Sequence, residues 1–245
     1  MHRLRLRSVP VPGLQQEGVL TAPTRTTGRV IHGAFRYDAL LWIISRGNER
    51  GFREELVELA RLVVGESVLD VGCGTGSLAI AVKRRVGPSG SVHAIDPADE
   101  MIARARKKAR RRKLDITFDT ASAEALPFRD ATFDVLLCTA VLHHLPHGLL
   151  HRSLAEMRRV LKPGGRILIV DFGGSQDDRR TLHAPHGRNQ TGLAPFDLNS
   201  VVPWLDDVEL QPIETGAIVT KLMRTERLRY VLAENPALSP RGFNA

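Results

Sequence analysis

Residues 67–80 read SVLDVGCGTGSLAI, and few backbones accept that order. A short apolar run reaches an acid, Asp70, meets glycines at 72, 74 and 76, and gives way to a second apolar run. Glycines spaced by two weaken a helix or a strand interior, so they belong to a tight turn in which the chain needs their conformational freedom. The run before them is short and contains β-branched residues, as a buried strand requires. The run after them, GSLAIAVKRRV, has the composition and length of a helix. A strand that turns through glycines directly into a helix is the opening unit of a parallel α/β sheet.

The rest of the chain repeats that alternation. Strands are expected at SVHAID (91–96), ITFDTAS (116–122), FDVLLCTAV (133–141) and RILIVDF (166–172). Helices are expected at ADEMIARARKKARRRK, which opens on acids and closes on bases as the helix dipole favours, and at LLHRSLAEMRRVL, which KPGG should stop. VELQPIETGAIVTKLMR reads as a hairpin turning at Thr215-Gly216, and FDLNSVVPWLDD as a short helix. The expectation is an α/β, Rossmann-like doubly wound sheet, mostly parallel with an antiparallel last strand, plus an N-terminal helical cap. Along the chain this gives a disordered basic tail at 1–33, the cap at 34–64, the main domain at 65–230 and a second tail at 231–245.

Composition narrows the class. The chain has 245 residues, 42% of them hydrophobic, which suits one large domain. No run approaches the roughly 18 apolar residues that a membrane span needs. Cys73 and Cys138 both lie in apolar segments, which argues against a disulfide framework and for a reducing compartment, the cytoplasm. A net charge of +8 permits an acidic partner without naming one.

Three ligand readings compete for the glycine turn. A phosphate-binding Walker loop needs Gly-Lys-Ser/Thr, whereas Gly76 is followed by Ser77 and Leu78. The dinucleotide fingerprint wants a glycine where Ser77 stands. An S-adenosylmethionine loop wants an acid at the strand end followed by Gly-x-Gly-x-Gly, which Asp70 to Gly76 supplies, and a turn with no ligand remains open as well. Asp96, ending the second strand, could accept both hydroxyls of a ribose or simply cap the helix near Ala98.

Downstream come TASAEALPFRDATFDVLLCTAVLHHLP and EMRRVLKPGGRILIVDF. This succession resembles the class I S-adenosylmethionine-dependent methyltransferases of the methyltransferase 11 type, over about residues 65–173. The resemblance implies a cofactor, S-adenosylmethionine, met through backbone by Gly72, Cys73, Gly74 and Gly76, with Asp70 near its amino group. It further implies Asp96 on the ribose, Pro97 and Met101 packed on the adenine, and Ser122, Ala123 and Glu124 at the adenine edge. Thr139 and Ala140 would lie near the methionine tail. One departure is Ser122, where the family has an Asp that bonds the adenine amino group; a hydroxyl accepts that bond more weakly.

Methyl transfer is an in-line displacement, and acidic acceptors must first lose a proton. His143, His144, His147 and His151 follow the fourth strand, and His144, then His143, are the candidates for a general base. No metal is expected, since no Cys or Asp completes the i, i+4 pair His147 and His151. YDALLWIISRGNERGFREELVEL resembles the N-terminal segment of the ubiquinone/menaquinone-pathway C-methyltransferases. That likeness implies that Tyr37 and Trp42 meet the substrate, although those enzymes carry Arg-Asn where this chain has His143-His144. The implied partner is a small apolar or aromatic methyl acceptor: quinone-like, a phenol, a lipid or another natural product. An RNA or protein methyltransferase and a non-catalytic cofactor-binding assembly protein are the alternatives. RARKKARRRK (104–113) reads first as a solvated basic face and second as a peripheral membrane contact. It lacks the interleaved aromatics of single-strand binders, so nucleic acid is not expected.

Overall fold

A computed structural model describes residues 49–173, 196–218 and 228–237. In chain order the elements are α1 (Glu49–Leu59), β1 (Ser67–Val71), α2 (Ser77–Val86), β2 (Ser91–Asp96), α3 (Asp99–Arg111), β3 (Thr117–Thr120) and β4 (Phe133–Thr139). After a 3-10 turn at Leu142–His144 follow α4 (His147–Val160), β5 (Leu161–Phe172), a second 3-10 turn at Leu198–Ser200, α5 (Val202–Asp207), β6 (Gln211–Ile218) and β7 (Leu228–Glu234). They build one seven-stranded sheet in the order β3-β2-β1-β4-β5-β7-β6. β1 to β5 pair in parallel, and β7 runs antiparallel to both β5 and β6.

Near-continuous apolar runs make the central strands because both faces of the sheet are covered. On one face Leu56, Val57, Leu78, Val82, Ile102 and Ala105 of α1 to α3 pack on Val68, Val135 and Leu137. On the other, Leu154 and Met157 of α4 and Leu205 of α5 pack on Leu69, Leu136 and Ile167. The chain steps outward from β1 to β3 in one direction and from β4 to β5 in the other. The crevice between the carboxyl ends of β1 and β4 is therefore the place where such a sheet binds ligands. Among the described residues, no helix is long and apolar enough to cross a membrane.

α1 packs into this core; residues 34–48 of the expected cap lie outside the described residues. Arg166 binds the two carbonyls just past the end of α1. That guanidinium donates to Ala60 O at 2.8 Å and Arg61 O at 2.7 Å, and to both Glu66 oxygens at 2.8 and 3.0 Å.

Three boundaries differ from those expected. KPGG does not precede β5 but lies within it: Leu161 already pairs with Phe133, and the register resumes at Val135 and Arg166 after a bulge. Asn235 stabilises the bulge, its Nδ2 donating to Leu161 O at 2.8 Å and Lys162 O at 3.1 Å. Thr215-Gly216 is not a turn, because both residues lie in β6. Gly216 faces Tyr230, and a Cβ there would come 2.5 Å from the tyrosine ring, so the glycine makes room for a cross-strand aromatic. Finally, Val231 to Glu234, assigned to a tail at 231–245, belong to β7. As an interior strand it loses the alternation by which a half-buried strand is recognised.

Gly76 connects loop and fold most tightly. Its φ is +77°, and a Cβ would lie 2.8 Å from Ala105 Cβ and 2.9 Å from Phe118 Cε1. Gly76→Ala should cost about 2–4 kcal/mol in urea unfolding, from left-handed strain plus overpacking. Gly148→Ala, in helix α4 with open space around it, should be neutral or stabilising by up to about 1 kcal/mol.

Candidate functional site

The three loop glycines hold left-handed backbone, with φ of +72° at Gly72, +52° at Gly74 and +77° at Gly76. A Cβ on Gly72 would fall 2.2 Å from Val141 Cγ2, so the loop after β1 lies directly on the segment leaving β4. Cys73 N–H donates to Ile95 O at 2.8 Å, and Gly76 N–H to Cys73 O at 2.9 Å, closing the turn. Asp96 then ties it to the next strand. Its Oδ2 accepts from Gly74 N–H and its Oδ1 from Ala98 N–H, each at 2.9 Å. Asp96 thus holds Ala98, the residue before α3, in a local turn, while α3 itself has no side-chain cap, and the same carboxylate braces the loop. Burial raises its pKa, and the two N–H bonds pull it back down.

From α3, Lys108 Nζ reaches Thr75 Oγ1 at 2.7 Å and Ser77 Oγ at 3.2 Å. That cation supports the loop, so the basic run is not wholly a solvated face. Lys107, Arg110, Arg111, Arg112 and Lys113 remain on the outside.

Arg53, Asp70, Gly72, Cys73, Thr75, Ser77, Leu78 and Thr139 line one cleft at this crevice. Asp70 is 1% exposed, and its Oδ2 has no hydrogen-bond partner. Burial, reinforced by the Asp96 charge, pushes its pKa up to about 7, against the opposing pull of Arg53 and of the Ala79 N–H. Arg53 Nε and Thr139 Oγ1 are likewise buried without partners. A carboxylate, a guanidinium and a hydroxyl, each short of a partner around one cleft, fit a ligand carrying both an ammonium and a carboxylate. Cys73 is no nucleophile here: burial and the neighbouring carboxylates Asp70 and Asp96 push its thiol well above the ordinary range.

Beyond β4 the backbone is strained. Ala140 has φ +56° and donates its N–H to Val170 O at 2.7 Å. A left-handed alanine costs on the order of 1 kcal/mol and persists where packing insists on it. The 3-10 turn that follows carries His143, whose Nδ1 lies 2.8 Å from Asp171 Oδ1. Asp171 is fully buried and also accepts from the N–H groups of Phe172 at 2.7 Å and His143 at 3.3 Å. With Nδ1–H donating to Asp171, the other ring nitrogen, Nε2, is the acceptor. Phe172 contacts the His143 ring edge-on at 4.9 Å, and His144 lies beside it at 3.8 Å between centroids. His147 is in edge contact with Trp204 at 4.6 Å. Among the described residues, no three His, Cys, Asp or Glu side chains form a cluster that could hold a metal.

Next to Asp96, whose carbonyl accepts from Ala121 N–H at 3.3 Å, Ser122 to Ala125 form a tight turn in which Ser122, Ala123 and Glu124 are buried. Pro97 is half-buried, and Met101 is buried in the first turn of α3. The fold thus brings twelve of the thirteen expected cofactor residues to the carboxyl edge of the sheet as backbone or lining, and Met101 beside them. Tyr37 and Trp42 lie outside the described residues. Arg53 and Asp171 were not foreseen. Arg53 carries no signal of its own in the sequence, lying within an amphipathic helical stretch. Asp171 had one: an acid near the end of a buried strand, as at Asp70 and Asp96.

A carboxyl group whose folded pKa is raised weakens the fold as pH climbs from its unfolded value to its folded one. Asp70→Asn should therefore stabilise the ligand-free chain more at pH 8 than at pH 5, by a difference of about 2–3 kcal/mol in urea midpoint analysis.

Residues 68–165 match the family model of the methyltransferase domain. The chain is 39% identical over 175 residues to a ubiquinone/menaquinone biosynthesis C-methyltransferase from Bordetella avium, covering 70% of this chain and 62% of that protein. It is 37% identical over 137 residues to a demethylmenaquinone methyltransferase from Thermus thermophilus, covering 56% of this chain and 61% of the relative. The chain thus spans less than two thirds of the length of these curated relatives. In structure it superposes on the [4+2]-cyclase SpnF with TM-score 0.63 at 21% identity, over 76% of this chain and 80% of the other, a likeness of fold alone.

Proposed function

We propose that this chain, which carries a methyltransferase domain at residues 68–165, moves a methyl group from S-adenosylmethionine to a small acceptor bearing an acidic hydroxyl, such as a phenol or hydroquinone. The observation that carries this reading is the His143–Asp171 pair at 2.8 Å, held just past β4 beside the glycine-loop cleft. S-adenosylmethionine, when bound, supplies an electrophilic methyl group on a sulfonium.

The chain's own residues do the rest. Asp70 Oδ2 offers a buried acceptor to the ammonium, and Arg53 a donor to the carboxylate of the methionine end. Asp96 retains lone pairs for the ribose hydroxyls after serving Gly74 and Ala98. Asp171 fixes the ring of His143 so that Nε2 takes the acceptor's proton, leaving an oxyanion or an activated ring carbon as nucleophile. His144 stands beside that ring and shapes the pocket. The names of the relatives favour a quinol-like acceptor, and a base that ionises a ring hydroxyl suits carbon methylation as well as oxygen methylation.

The test is transfer of a labelled methyl group from S-adenosylmethionine to a panel of phenols and quinols, together with calorimetry of the donor and its demethylated product. Asp96→Ala should abolish measurable donor binding. His143→Ala should lower kcat by about a hundredfold or more with donor affinity unchanged. Asp171→Asn should lower kcat with little change in KM, while His144→Ala stays within an order of magnitude of the parent. Binding of NAD in place of the donor would refute the reading.

A further inference from the structure

One lysine of the basic run on α3 turns inward. Lys107, Arg110 and Arg111 are exposed, whereas Lys108 is half-buried, with Nζ 2.7 Å from Thr75 Oγ1 and 3.2 Å from Ser77 Oγ. Thr75 and Ser77 both line the cleft, and Lys108 stands behind them, outside that lining. The contact has a chemical consequence. An ammonium has hydrogens to give and no lone pair, so each hydroxyl oxygen must accept from it and turn its own hydrogen elsewhere. Thr75, 1% exposed, anchors the ammonium, while Ser77, the first residue of α2, is half-buried at the cleft. Ser77 also stands where a dinucleotide loop carries glycine, so this cleft has a side chain that the pyrophosphate binders lack.

We propose that Lys108 is a positioning residue: by holding the Ser77 oxygen as an acceptor, it fixes that hydroxyl as a hydrogen-bond donor to the carboxylate at the amino-acid end of the methyl donor. The inference rests on the donor reading above and deepens it. The cleft is then sorted by polarity. Asp70 Oδ2 is the acceptor for the ammonium, and Arg53 Nε and Ser77 Oγ–H are donors for the carboxylate. Without the lysine, the serine hydroxyl rotates between donating and accepting, the ligand has to order it on binding, and a positive charge behind the loop is gone. Hydrogen bonds to a charged group are the strong class, so the loss falls on ligands that carry the carboxylate and spares those that lack it.

Calorimetry of S-adenosylhomocysteine and of its decarboxylated analogue against the full chain tests this, with thermal unfolding as a check on folding. The parent should bind the carboxylate-bearing compound about a hundredfold more tightly. Lys108→Met should lower that preference by about tenfold, and Lys108→Arg, which also only donates, should keep it within about threefold of the parent. Ser77→Ala should cost about as much of the preference as Lys108→Met, and the combined variant little more, because the two residues act as one unit. Equal affinity of the parent for the two compounds overturns the proposal whatever the variants do. In a folded Lys108→Met protein, an unchanged preference, or an equal loss of affinity for both compounds, overturns it while leaving the donor reading intact. Failure of the parent to bind either compound refutes the donor reading and this proposal together.

Discussion

The site depends on one close approach. Gly72 lies so near Val141 that no side chain fits between them, and this contact joins the loop after β1 to the turn after β4. The first bears the groups that would hold a nucleotide; the second bears His143. Their juxtaposition follows from sheet topology, since β1 and β4 are neighbours whose onward connections diverge. The three left-handed glycines let the backbone pass this point, and left-handed Ala140 shows that the β4 side is also bent to meet it. Substrate and base would thus be aligned by backbone packing, more rigid than any arrangement of side chains on mobile loops.

Around that contact several buried polar atoms have no partner within the described chain. Asp70, Arg53 and Thr139 each bury an atom with no partner, and all three line one cleft beside the glycine loop. Asp96 and Asp171 already hold hydrogens of the chain itself, one bracing the loop and the other the imidazole. The first group is suited to recognition and Asp171 to positioning, while Asp96 braces the loop and keeps lone pairs for a ligand.

What the sequence revealed depended on how local the signal was. The glycine loop, β1, β2 and helix α3 were legible because turn chemistry and periodicity act within a dozen residues. Asp96 was legible because a strand-end acid lies at a fixed distance from that loop. β7 was missed because an interior antiparallel strand has no alternation, and Gly216 because a glycine facing Tyr230 looks the same in sequence as a turn glycine. The preference for His144 over His143 came from position alone. The partner Asp171, 28 residues away, singles out the His143 ring, and that pairing exists only once β4 and β5 lie side by side. Arg53 had the same difficulty, being brought to the cleft by the packing of α1 on the sheet.

A crystal structure of the chain with S-adenosylhomocysteine tests the account most directly. The account predicts the amino-acid end of the ligand between Asp70 and Arg53, its ribose on Asp96, and its sulfur facing the side of the crevice that carries His143. A ligand bound with its sulfur turned away from His143, or seated outside the Gly72–Gly76 loop, would contradict it.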